Sequence, residues 1–151
     1  MSGKIVEIND RFLKINLENK IFGTKTLWYG SKKVKVSDPT KTIVDILDDP
    51  KLSGGMSVVY DVFNEYIESE YCDFNLLLKY AKRMNNKTIL KRLGFMVDVK
   101  LNKVPKELIN IREDISSGYS DFDPTVNSKS IIEKWKLKVP TSWKAEYDRK
   151  K

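Results

Sequence analysis

Histidine is absent from this sequence, and cysteine occurs once, at Cys72. Together these absences remove zinc fingers, His-based metal sites, and Ser-His and Cys-His nucleophile pairs, all of which need imidazole or several thiolates. Any catalysis would have to draw on carboxylates, lysines or an oxygen-bound Mg²⁺, and no metal or cofactor is expected. One thiol cannot form an internal disulfide, which fits a reducing compartment. No apolar run approaches a membrane span. The opening Met1-Ser2-Gly3-Lys4 leads straight into a strand-like run and lacks a signal-peptide core. The expectation is a cytoplasmic protein with no membrane partner.

What is present suits a single folded domain. A chain of 151 residues, 40% apolar and 32% charged, can bury a proper core and resembles neither a disordered chain nor a coiled coil. The net charge of +7 is segregated: residues 38–73 carry two basic and nine acidic side chains, whereas residues 74–98 carry six and one. Such segregation suits docking onto a protein or contact with a polyanion, and the balance alone does not choose.

Along the chain, Lys4–Ile8 and Phe12–Leu17 alternate around Asn9-Asp10 and predict a hairpin. Thr24–Tyr29 and Lys33–Val36 predict a second, turning at Gly30-Ser31, with valines on one face and lysines on the other. The stretch "VKVSDPTKTIVDIL" then switches to helical spacing. Asp38 suits an N-cap there and Pro39 the first helical position. Three more helices are expected: from Gly54-Gly55 to Glu68, after Asp73 through Met84, and from Ile89 through Val97. Pro105–Ile111 reads as a short helix, residues 134–139 as a last strand, and residues 141–151 as a polar, frayed tail whose Trp143 can dock back on the domain. The fold class is α/β of α+β character: a small, mostly antiparallel sheet on about four helices, in one domain over residues 1–140.

Several of these segments also resemble a known family. "VKVSDPTKTIVDILDDPKLSGG" and "LLLKYAKRMNNKTILKRLGFMVD" are similar to the C-terminal domain of the AbiEi-type antitoxins, transcriptional regulators of viral defence. The matching positions are Asp38, Pro39, Thr42, Asp45, Pro50, Gly54, Gly55, Arg92, Leu93, Gly94 and Phe95. In the closing segment they are Gly118, Tyr119, Asp123, Pro124, Trp135 and Leu137. Thr40-Lys41 stand where the family usually has Glu-Arg, and nothing before Lys4 matches the family's winged helix. The resemblance implies the antitoxin role of a type IV toxin-antitoxin system, restraining a nucleotidyltransferase-type toxin, with the family-motif residues serving the fold.

Other motifs are weak. Gly30-Ser31 with later acids lacks the two carboxylates, two apart on a strand, that a nucleotidyltransferase needs for Mg²⁺. Asp98-Val99-Lys100 has the form of a nuclease D-x-K, yet Leu93, Met96 and Val97 continue a helix into it. Gly54-Gly55 offers amides to phosphate but lacks the lysine and hydroxyl of a P-loop. No enzyme is expected. The feature with functional weight is a basic face: Lys79, Lys82 and Arg83 on one helix, Lys87, Lys91 and Arg92 on the next, extended by Lys33 and Lys35. It would contact DNA phosphates or an acidic partner, or serve only as a solvated surface. Exposed aromatics for base stacking are not expected, because Tyr80 and Phe95 sit at core spacing.

Overall fold

Strand β1 (Thr24–Tyr29) and strand β2 (Lys32–Ser37) pair antiparallel, with Trp28 opposite Lys33 and Thr24 opposite Ser37. Gly30, at φ +61°, takes the first central position of the two-residue turn, as a II′-type connection requires. The computed structural model describes residues 22–150. The hairpin expected at residues 4–17 lies outside them.

Where β2 ends, the chain turns into helix α1 (Pro39–Asp48). The Asp38 carboxylate accepts the Lys41 amide at 2.7 Å, and Pro39 needs no such partner. Asp49-Pro50 ends the helix in a single 3₁₀ turn, Pro50–Ser53, and Gly54 and Gly55 follow at φ +92° and +116°. Helices α2 (Met56–Glu68), α3 (Phe74–Arg83) and α4 (Lys87–Lys100) come next. Asp73 and Asn86 cap the last two. All four expected helices form.

Beyond α4 the expectations need correction. Lys106–Leu108 and Ile111–Asp114 are separate 3₁₀ turns rather than one short helix. A second, three-stranded sheet holds β3 (Ser120–Asp121), β4 (Ser130–Ile132) and β5 (Leu137–Val139), with β5 central, parallel to β3 and antiparallel to β4. The expected strand over 134–139 is therefore only half strand. Glu133–Trp135 is a 3₁₀ turn, and Lys136 is left-handed at φ +53°. The polar tail is helix α5 (Thr141–Arg149). Trp143 and Tyr147, one turn apart, form a two-residue apolar stripe that packs against Phe95, with Trp143 also edge-on to Tyr60 and Phe122.

The fold is α+β, five α-helices and two small sheets among the described residues. Helix α4 runs through its centre: ten of its fourteen residues are buried, on every side of the helix. Among the described residues no helix is long and apolar enough to cross a membrane.

Candidate functional site

The residues that carry the resemblance hold the fold together. Asp38 Oδ2 accepts the Tyr80 hydroxyl at 2.9 Å while its other oxygen caps α1. Burial and this carboxylate push the Tyr80 hydroxyl up to about 12. Asp45 accepts Ser37 Oγ at 3.1 Å and pairs with Lys41, which is 3% exposed. Burial raises the Asp45 carboxyl, and Lys41 opposes that rise. At the positions where the family usually has Glu-Arg, Thr40 thus bonds Tyr66 at 2.9 Å and Lys41 bonds Asp45, lying 4.7 Å from the Phe22 ring centroid. Thr42 Oγ1 donates to the Asp38 carbonyl.

Gly55 and Gly94 each admit a close neighbour. A Cβ on Gly55 would meet Thr125 Oγ1 at 2.8 Å and Asp123 Oδ2 at 3.2 Å. Asp123 Oδ2 accepts the Met56 amide at 3.1 Å and so occupies the start of α2, the place a phosphate would need. A Cβ on Gly94 would lie 2.2 Å from the Trp135 ring. Phe95 packs edge-on to Phe122 at 4.9 Å, and Leu93 is fully buried.

The basic face is divided by the structure. Lys91 is fully buried, donating to the Gly118 carbonyl and to Ser120 Oγ, and desolvation lowers its ammonium pKa, with a smaller contribution from Lys136. Arg92 is 6% exposed, and its guanidinium donates to the carbonyls of Leu47, Phe122 and Asp121 at 2.7–3.0 Å. Neither can reach a ligand. The expectation failed because α4 is enclosed, so its long cations point at loop carbonyls rather than at water. Lys79, Lys82, Arg83 and Lys87 do lie on the surface. Lys82 is paired with Asp114 at 3.2 Å, and Arg83 covers Phe22 at 4.4 Å.

Lys33 and Lys35 are exposed on the hairpin, and beside them lies what sequence reasoning missed. Trp28 is 62% exposed and Tyr29 52% exposed, with Leu27 next to them. Lys33 Nζ stands 5.1 Å from the Trp28 ring centroid. A signal was present: Trp28 and Tyr29 are adjacent on a strand, so their rings point to opposite faces and one core cannot bury both. Phe22 leads directly into β1, so Arg83 joins the base of this hairpin to the basic end of α3.

The acid of the D-x-K tripeptide is engaged. Asp98 Oδ2 accepts Trp135 Nε1 and Lys134 Nζ, both at 2.7 Å, so the D-x-K acid is anchored to the 3₁₀ turn before β5. It borders a cavity of about 270 Å³ with Val104, Ile111 and Arg112 on its walls, below the usual size of a ligand pocket, ~300–1,000 Å³. A shallow groove of about 590 Å³ is edged by Asp38, Glu70, Asp73 and Glu107, but Asp38 and Asp73 are helix caps. Among the described residues no cluster of His, Cys, Asp and Glu could hold a metal ion. Comparison with family models, curated proteins and solved structures finds no match to this chain.

Proposed function

We propose that the chain is a non-enzymatic regulator of the antitoxin kind, acting in the cytoplasm to restrain a nucleotidyltransferase-like toxin in phage defence. The support is that residues matching separate parts of the family pattern interlock in space. Gly55 lies under Asp123, Gly94 lies under Trp135, and Arg92 bridges the end of α1 to β3. Co-expression with a nucleotidyltransferase encoded beside its gene tests this reading. Restored growth and co-purification are expected; a toxin that remains toxic and elutes alone contradicts it.

A second reading is a stand-alone nucleic-acid-binding protein. The observation favouring it is the hairpin, which carries Lys25, Lys32, Lys33 and Lys35 and no acid. Without Lys91 and Arg92, phosphate contact would use Lys33 and Lys35 with Lys79, Arg83 and Lys87. Binding to duplex DNA from upstream of its own gene, beside unrelated DNA, is the test. Affinity that falls with salt supports this reading, and no binding at low salt contradicts it.

A further inference from the structure

We propose that the tip of the β1–β2 hairpin is a stacking platform for single-stranded nucleic acid, Trp28 receiving a base and Lys33 and Lys35 the flanking phosphates. The proposal rests on the nucleic-acid reading above and specifies its ligand.

Three observations converge on the tip. Trp28 and Tyr29 leave more than half of their surface in water, on opposite faces of a two-stranded ribbon. Among the described side chains of the ribbon, only Val36 and Ser37 at its far end are buried against the body. The aromatic rings therefore stabilise no core, and the ribbon is held from its base.

The register then sets charge beside the Trp28 ring. Lys33 is directly opposite Trp28, and Lys35 is opposite Thr26 on the same face. These two lysines are one strand repeat apart, about 6.7 Å, and form a row along one edge. Lys32 stands opposite Tyr29 and serves the other face in the same way. The hairpin carries no carboxylate to repel a polyanion.

Aromatic rings interleaved with lysines are what a sequence-tolerant single-strand site needs, because every base has a π-face and every nucleotide a phosphate. A two-stranded ribbon can also enter the major groove of a duplex. Paired bases, however, offer no face to Trp28, and phosphate contact alone would not need it.

The test uses the full chain with a labelled oligothymidylate of about 12 nucleotides, within the site sizes such proteins show. Oligouridylate, an abasic strand of equal length and a duplex accompany it. Trp28 is the most exposed of the three tryptophans, Trp135 being buried and Trp143 partly so, and its emission should be quenched as a base stacks. Trp28→Ala is expected to weaken oligothymidylate binding roughly 5- to 100-fold, and Trp28→Phe to restore most of it. The abasic strand should bind about as weakly as the alanine variant binds thymidylate. Equal or better binding of oligouridylate would make RNA the source of the ligand and leave the proposal standing. If Trp28→Ala and the abasic strand bind unchanged while Lys33→Gln/Lys35→Gln loses affinity, the platform is refuted and phosphate contact survives. Duplex preference insensitive to Trp28→Ala refutes it likewise. No binding to any strand at low salt removes both the platform and the reading beneath it.

Discussion

Arg92→Met isolates the interaction that most clearly separates a buried tie from a binding face. Methionine keeps most of the aliphatic stem and removes the guanidinium. Three charge-assisted bonds of 3.0 Å or less disappear, to Leu47, Phe122 and Asp121, with a long contact of 3.5 Å to the Asp48 carbonyl. Asp121 is exposed and its carbonyl can recruit water, whereas Leu47 and Phe122 are fully buried. A buried polar group left without its partner costs about 1–3 kcal/mol, so two of them predict a loss of about 2–6 kcal/mol. The positive charge beside the C-terminal carbonyls of α1 is lost as well, worth about 0.3–1 kcal/mol. Its own desolvation penalty, which lowers the Arg92 pKa, is relieved and offsets part of the loss. A net destabilisation of about 3 kcal/mol follows, a large share of the ~5–15 kcal/mol that holds a typical domain. Urea unfolding should show it as a midpoint shift of about 1–2 M at unchanged slope. Arg92→Lys keeps charge but reaches fewer carbonyls from one ammonium, and should fall between. A midpoint for Arg92→Met within about 0.3 M of the unmodified protein would refute the reasoning, since it would mean that water already serves those carbonyls.

Three further outcomes follow from the packing and the titration. Gly94→Ala should destabilise by about 2–3 kcal/mol, because its methyl would overlap the Trp135 ring; combining it with Trp135→Phe should recover part of that loss in thermal unfolding. Tyr80 is held near 12 in the folded protein against 10 unfolded, so the stabilisation is complete below pH 10 and declines as pH rises from 10 toward 12. Asp38→Asn should lower the Tyr80 value in a spectrophotometric titration, though not fully to 10, because burial is the larger cause.

How much of this was legible in the sequence depends on how local the physics is. Asp38-Pro39, Asp73 and Gly30 announce their caps and turn through side-chain chemistry that acts within a few residues, and each sits where expected. Lys91 and Arg92 were misread because enclosure of α4 is a property of the whole fold: the stretch Lys87–Arg92 looks amphipathic until loops from residues 118–122 close over it. Helix α5 was missed for the opposite reason. Its apolar stripe is only Trp143 and Tyr147, too few to show a period, and its stability comes from rings contributed by Tyr60, Phe95 and Phe122. The sequence predicts one sheet closed by a C-terminal strand; Leu137–Val139 instead pairs in a second sheet with Ser120–Asp121 and Ser130–Ile132, strands of two and three residues that are too short to show alternation. The exposure of Trp28 and Tyr29 is invisible to helical spacing, because it follows from alternation on a two-stranded ribbon held only at its base.

In the nucleic-acid reading proposed above, the working cations are Lys33 and Lys35 of the hairpin with Lys79, Arg83 and Lys87, and not the buried Lys91 and Arg92. The most direct measurement is the salt dependence of nucleic-acid affinity for three folded proteins: the unmodified chain, Lys33→Gln/Lys35→Gln and Lys91→Gln. Each phosphate contact on a single strand contributes a slope of about 0.7 in log affinity against log salt. The hairpin variant should therefore lose about 1.4 of slope, while Lys91→Gln leaves the slope unchanged. An unchanged slope in the hairpin variant, or a reduced one in Lys91→Gln, would contradict the account.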